Sequence, residues 1–320
     1  MERRKPAYLS PTSLKMFSTK REEWYMNYIS PVRPPRIPQT LPMSIGSSFD
    51  AYVKSELYRS IYGDNDPKFA FQALFEAQVE PQNRDTAKRD GAIAFAIYKS
   101  SGALADLVSE LELASESPRF EIEVRGAIPH QHESIRKPVG ALTLLGKPDL
   151  CFLDNRGRMV IYDWKVNGFY SNSKTYPKRG YISCKTKAED LGQHKDCMIA
   201  NQDGLRYNSM LYLEEVERDW AAQLATYGWV SGERVGSEFL VGIDQLAGKP
   251  SELRIARHRS LITSEFQTDV YAKYCQIQIA IETGHYFDNL TKEENDAHCA
   301  FLDRKAVVYS DSSDPFLNRN

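Results

Sequence analysis

The sequence predicts an α/β fold in which a central mixed β-sheet is flanked by helices. Apolar residues recur at helical spacing through much of residues 44–114, whereas residues 120–124 alternate between apolar and acidic side chains. Two apolar segments, 150–153 and 159–162, are separated by a polar run ending in Gly157, which is typical of a β-hairpin. Strands preceded and followed by helices favour a sheet covered by helical layers.

The composition is that of a globular protein of 320 residues, with 42% hydrophobic residues and a net charge of −2. This length allows one large domain or two small ones. We find no apolar run long enough to span a bilayer and no apolar signal core near the N-terminus, so we expect a cytoplasmic protein without a membrane partner. Five scattered cysteines without a Cys-x-x-Cys pair fit reduced thiols better than a zinc site. With so little net charge, any nucleic-acid surface must be a local patch.

The first 115 residues are predicted to form an N-terminal helical region that packs on the core. Ser10 followed by Pro11 fits the cap and first turn of a helix. Five prolines between residues 31 and 42 predict an extended connector until about residue 43. Further helices are expected at residues 44–62, 67–80 and 85–114.

Asp50 and Lys54 lie one turn apart in the predicted helix 44–62. On spacing alone, an intrahelical ion pair worth a few tenths of a kcal/mol (~0.2–0.5) explains both side chains.

Asp149 and Asp163 lie at matching distances from the centre of the predicted hairpin. Antiparallel pairing places them opposite each other or one step apart, within about 5–8 Å. Lys165 shares a strand face with Asp163, while Tyr162 and Trp164 take the other face. Two interpretations are open: a charge cluster at an exposed strand end, or buried carboxylates that hold a divalent cation. The apolar character of the strand favours the second.

A basic and aromatic segment follows the hairpin. Residues 166–187 contain neither Asp nor Glu, but carry Lys174, Lys178 and Arg179 among several tyrosines. Basic side chains between aromatic ones suit a groove that follows phosphates and stacks bases. The alternative is a solvated loop held down by its tyrosines.

The C-terminal third is predicted to complete the sheet and its helical cover. A helix at 214–230 brings Gln223 and Tyr227 one turn apart, where they could also be an ordinary boundary pair. Two strands at 237–243 and 253–258 and a long helix at 263–283 follow. We therefore place the core at residues 116–288 and a polar tail at 289–320.

Five short motifs occur in a set order along the chain. They are Ser10-x-x-Ser13-Leu14-x-x-Phe17, Gly46-Ser47-Ser48-Phe49-Asp50, Gly146-Lys147-Pro148-Asp149, Asp163-Trp164-Lys165 and Gln223-x-x-x-Tyr227. Together they resemble the motifs of the PD-(D/E)XK nuclease superfamily, in its RecB-type exonuclease branch. The resemblance spans about residues 9–283.

The resemblance implies a restriction-endonuclease-like core and divalent-metal-dependent hydrolysis of DNA phosphodiester bonds. Asp149, Asp163 and the main-chain carbonyl of Trp164 would ligate Mg²⁺ or Mn²⁺, and Lys165 would position or polarise the attacking water. Gln223 and Tyr227 of the helical motif would contact the DNA strand. To these the composition of the basic segment adds Lys174, Lys178 and Arg179 as expected DNA contacts.

The chain departs from the family pattern at two places. Asp50 stands where the family usually has His, and as a carboxylate it would still ligate a hard cation. Some relatives bind an iron–sulfur cluster through one early and three late cysteines. Here Lys20 occupies the early position, and Cys275 and Cys299 form no late triplet, so we expect no iron–sulfur cluster.

Together with the resemblance, these observations predict a metal-dependent DNA exonuclease that acts in DNA recombination, repair or phage DNA processing. DNA is the expected partner, and a recombinase or single-strand-binding protein is a candidate protein partner. Two other functions stay open: a nuclease-like scaffold that binds DNA or protein without cutting, and a metal-dependent hydrolase of another substrate such as RNA.

Overall fold

A mixed β-sheet between two groups of helices organises the chain in the computed structural model. The structure describes residues 2–127, 143–169, 181–183, 212–249 and 252–311. The basic residues Lys174, Lys178 and Arg179 lie outside these ranges. None of the described helices has the length and apolar character that a membrane-spanning segment needs.

The helices of the described ranges largely follow the predicted ones. They are α1 (Pro11–Thr19), α2 (Arg21–Tyr28), α3 (Leu41–Tyr62), α4 (Phe71–Gln78), α5 (Arg84–Ser100), α6 (Ala103–Glu112), α7 (Leu213–Val216), α8 (Arg218–Val230), α9 (Ser264–Thr283) and α10 (Lys292–Asp311).

The described strands form a six-stranded sheet and a separate two-stranded pair. They are β1 (Arg119–Phe120), β2 (Val124–Ala127), β3 (Thr143–Gly146), β4 (Leu150–Leu153), β5 (Met159–Phe169), β6 (Tyr181–Ser183), β7 (Leu240–Lys249) and β8 (Glu252–Ser260). The sheet order is β1-β4-β5-β7-β8-β6, and β2 pairs with β3. Because β5 and β7 are parallel while the other neighbours are antiparallel, the predicted mixed sheet is confirmed.

Side-chain alternation along β5 separates two hydrophobic cores. Tyr162 and Trp164 pack with residues of α3, α4, α5 and α6. Ile161, which precedes Tyr162 in the chain, points to the opposite face and packs with residues of α1, α2, α8, α9 and α10. The predicted division of β5 into two faces is therefore confirmed, and the first six helices are shared between both faces of the sheet.

Several predicted elements are interrupted where the backbone leaves its regular conformation. The predicted helix 85–114 is divided by Gly102, which has φ +87° and separates α5 from α6. The predicted helix 214–230 is divided at the extended Glu217, whose side chain accepts a hydrogen bond from the backbone N–H of Asp219. At the N-terminus, Ser10 caps α1 as the sequence predicts, and the Ser13 side chain accepts a hydrogen bond from the backbone N–H of Ser10 in return.

The prediction of one continuous strand at residues 120–124 is wrong. β1 ends at Phe120 and β2 begins at Val124, and these two strands join different sheets. Glu121 between them has φ +49°, a conformation that breaks the alternation of strand side chains. As a result its carboxylate is directed to α3.

The segment from residue 289, predicted as a polar tail, contains helix α10 from Lys292 to Asp311. This helix lies on the same core as α2, and Cys299, Leu302 and Ala306 are buried there. These apolar positions at intervals of three and four residues are the helical pattern that the polar composition of the segment concealed.

Candidate metal centre and adjoining cleft

The β4–β5 hairpin sets the positions of two acidic residues. Leu150 pairs with Tyr162, so Asp149 and Asp163 stand opposite each other one step further along the ladder. Asp154 closes the turn by accepting hydrogen bonds from the backbone N–H groups of Arg156 and Arg158, both 2.9 Å. Asp149 also accepts a 3.3 Å hydrogen bond from the backbone N–H of Trp164. The predicted juxtaposition of the two carboxylates is therefore present in the fold.

Helix α3 brings a third carboxylate and an ammonium group to the same place. Lys54 Nζ lies 2.6 Å from Asp50 Oδ2 and 2.8 Å from Asp149 Oδ1, and it also pairs with Glu121. The Asp50–Lys54 ion pair expected from their spacing is present. It forms part of a larger cluster, because the side chain of Lys54 is only 1% exposed and three carboxylates surround it.

Three acidic residues are grouped so that together they could hold a metal ion: Asp50, Glu121 and Asp149. One oxygen from each lies within 4.8 Å of those of the other two. Glu121 was not among the predicted site residues, and only the acidic alternation of residues 120–124 hinted at it. Asp163 is not one of these three, but its carboxyl group hydrogen-bonds with Asp149 and also pairs with Lys165. The predicted ligand role of the Trp164 carbonyl stays a prediction.

Burial and neighbouring charges shift the pKa values of these acidic residues in different directions. Burial raises the pKa of Asp50 to about 7 against the opposing effect of Lys54. Burial and the adjacent Asp149 raise the pKa of Asp163 well above its usual range. For Asp149, burial is outweighed chiefly by Lys54, and its pKa is lowered. Of the two opposed carboxyl groups, Asp149 is thus the one that favours the charged form.

Lys165 links this cluster to helix α8. Its Nζ pairs with Asp163 and donates a 3.0 Å hydrogen bond to Gln223 Oε1. Gln223 Nε2 in turn donates a 2.8 Å hydrogen bond to the hydroxyl of Tyr227. Burial disfavours the ammonium of Lys165, but the Asp163 carboxylate outweighs it and raises the Lys165 pKa. The structure therefore brings three predicted site residues together, Lys165 from β5 and the Gln223–Tyr227 pair from α8.

A buried polar network holds the other face of β5. The indole N–H of Trp164 donates to the hydroxyl of Tyr98 at 3.3 Å, and that hydroxyl donates to Asp244. Arg257 makes two 2.7 Å hydrogen bonds to the Asp244 carboxylate. Because Asp163 and Lys165 flank Trp164, this network restrains the strand that carries them.

A cleft of about 850 Å³ begins at Lys165 and runs between α1, the end of β3, α8 and α9. Its basic side chains come from separate elements and are Lys15, Lys147, Lys165, Arg218 and Lys273. Glu217 and Asp219 also line it, so positive side chains exceed negative ones by three. This surface could not be predicted from the sequence, because Lys15, Arg218 and Lys273 are not defining residues of any motif and the five basic residues lie far apart in the chain.

The cysteines give no test of the expected absence of an iron–sulfur cluster. Cys151, Cys275 and Cys299 are buried free thiols. Cys184 and Cys197 lie outside the described residues, so this expectation stays a prediction.

Comparisons with known proteins add little to this geometry. No family model and no curated protein matches the chain. Among solved structures, the crystal structure of SSO0001 is similar with a TM-score of 0.27 and 9% sequence identity, over 82% of this chain and 85% of that one. A similarity this weak supports no inference about fold or activity.

Proposed function

We propose that this protein is a divalent-metal-dependent deoxyribonuclease with a restriction-endonuclease-like core, acting as an exonuclease on DNA. The observation that carries the proposal is the hairpin that opposes Asp149 to Asp163 and places Lys165 two residues further on. Three carboxylates, a lysine and a basic cleft within one connected region suit hydrolysis of a phosphodiester. DNA recombination, repair or phage DNA processing are the settings in which such an activity is used.

The donor set fits a hard divalent cation. All candidate side-chain ligands are carboxylate oxygens, which Mg²⁺ and Mn²⁺ prefer. Asp50 Oδ1 is buried and has no hydrogen-bond partner, so it is free to accept a ligand bond. Asp50, Glu121 and Asp149 would hold the ion, with Asp163 adjacent. When bound, such an ion polarises a phosphoryl oxygen and lowers the pKa of a water molecule.

The remaining residues have separate tasks in this proposal. The ammonium of Lys165 orients the attacking water and balances negative charge that develops on the phosphoryl group. Gln223 holds Lys165 at 3.0 Å and is itself held by Tyr227, so this pair sets the direction of the ammonium. The basic cleft that begins at Lys165 receives the phosphates of the DNA strand.

End-labelled DNA digestion tests the proposal. Linear duplex DNA, circular DNA and RNA are incubated with the protein and Mg²⁺ or Mn²⁺, beside Asp163→Ala and a control variant. Lys68→Ala is a suitable control, because Lys68 is exposed and pairs only locally with Asp66 at 3.4 Å. We expect metal-dependent loss of label from linear DNA, reduced at least about a hundredfold by Asp163→Ala. Full activity of a pure Asp163→Ala sample would refute the assignment.

A catalytically inactive DNA-binding scaffold is the second candidate function. The observation that favours it is Lys54, whose ammonium already lies among the three carboxylates. A scaffold of this kind would bind DNA in the basic cleft with an affinity independent of Mg²⁺, and it would leave all three substrates intact.

A further inference from the structure

The ammonium of Lys54 stands where the proposed divalent ion would bind. It contacts Asp50, Glu121 and Asp149, and these are the same three residues whose oxygens cluster within 4.8 Å. Its side chain is 1% exposed, so solvent contributes almost nothing to its neutralisation. A charged lysine this deeply buried indicates that the cage is built to enclose positive charge.

The dimensions of the cage suit either cation. Opposite oxygens of a Mg²⁺ ion lie about 4.2 Å apart, twice the usual bond length of about 2.1 Å. The oxygens here lie within 4.8 Å of one another around an ammonium group, so one divalent ion can reach all three after only small side-chain movements. The cage holds three carboxyl groups against one lysine, and Asp50 Oδ1 remains without a hydrogen-bond partner.

We infer that Lys54 is a tethered cation that holds the carboxylate cage together and competes with the divalent ion for it. Binding of the ion then displaces the ammonium from the cage, and the affinity for metal is set partly by Lys54. This inference rests on the proposed metal site and concerns the regulation of that site. It predicts that removal of the lysine charge increases the affinity for the metal ion, although the same change lowers the stability of the metal-free protein.

Calorimetric titration with Mn²⁺ and thermal unfolding with and without Mn²⁺ test the inference on the full chain. The variants are Lys54→Met, which removes the charge, and Lys54→Arg, which keeps it. Lys99→Met is the matched control, since Lys99 makes an exposed 2.6 Å ion pair with Glu56 of the same helix α3. We expect Lys54→Met to bind Mn²⁺ roughly tenfold or more tightly than wild type. Mn²⁺ should also raise its melting temperature by more than that of the wild-type protein.

The outcomes separate this inference from the proposed function. If wild type binds Mn²⁺ and Lys54→Met binds it equally or more weakly, Lys54 supports the ligands and the inference is overturned while the metal site stands. If neither protein binds Mn²⁺, both ideas fail. Should Lys54→Met not fold, Lys54→Gln removes the charge while keeping a hydrogen-bond donor, and the same comparison applies. Tighter binding by Lys54→Arg would also contradict competition by charge.

Discussion

Gly146 lies where the end of β3 meets helix α8, and its missing side chain lets the two approach. A Cβ at this position would lie 2.5 Å from Val230 Cγ2 and 3.0 Å from Tyr227 Cδ1. Carbon atoms in contact are normally about 3.5–4.0 Å apart, so Gly146→Ala creates an overlap of about 1 Å. Relief of that overlap requires α8 to move away from the sheet and to carry Gln223 and Tyr227 with it.

The displacement has a cost in stability and, in the proposed nuclease, a cost in rate. Overpacking of this kind lowers the free energy of unfolding by about 1–3 kcal/mol. A shift of about 1 Å in the groups that orient Lys165 is expected to reduce the rate by up to about a hundredfold. Urea unfolding measures the first quantity, and digestion of end-labelled DNA measures the second.

Gly126→Ala is the matched control for this experiment. Gly126 lies on β2, the partner of β3, and faces the same residue of α8, but its Cβ would lie 3.8–4.0 Å from Val230, an ordinary contact. We expect Gly126→Ala to keep both stability and activity, and the added change Val230→Ala to restore part of what Gly146→Ala loses. If Gly146→Ala behaves like Gly126→Ala in both assays, the close approach of α8 does not position the site.

Three further predictions concern charge. Lys165→Met should abolish DNA cleavage in a gel assay while DNA binding, measured by anisotropy, changes by less than tenfold; retained cleavage would remove Lys165 from the mechanism. Arg257→Met removes the ion-pair partner of the buried Asp244 carboxylate and should lower the free energy of unfolding, measured in urea, by about 3–5 kcal/mol. Asp244→Asn in the same chain should restore most of this loss. Burial lowers the pKa of His258 to about 4, so the unfolded chain, with a His pKa near 6.5, binds the proton first. Neutral His258 therefore adds to the free energy of unfolding above pH 6.5, and this stabilisation, about 3 kcal/mol, is lost as the pH falls from 6.5 to 4. If His258→Gln shows the same dependence of unfolding free energy on pH as the wild-type protein, this prediction is contradicted.

The hairpin and its register follow from local features of the sequence. The polar connection ending in Gly157, with φ +75°, and the apolar runs on either side were enough to predict that Asp149 and Asp163 oppose each other. The separation of Lys165 from Trp164 onto two faces followed from strand alternation alone. In the same way, the cap at Ser10 and the long helix near residues 263–283 were readable from turn and helix signals.

Interruptions of the elements were harder to predict. Residues 120–124 have a strand pattern, yet the backbone turns at Glu121 because its two halves join different sheets. The segment after residue 289 has a polar composition, yet α10 forms because a core shared with α2 is available to bury Cys299 and Leu302. In both cases tertiary packing outweighs the local pattern.

By itself, the sequence determined which side chains share a turn, a strand face or a hairpin end, because these relations depend on covalent spacing and on backbone periods of 2 and 3.6 residues. Only the tertiary structure decided that Glu121 joins Asp50 and Asp149, that Lys54 lies among them, and that basic residues from four elements line one cleft. These contacts depend on how separate elements pack against one another. The free energy of that packing comes from apolar surfaces far from the charged groups that it brings together.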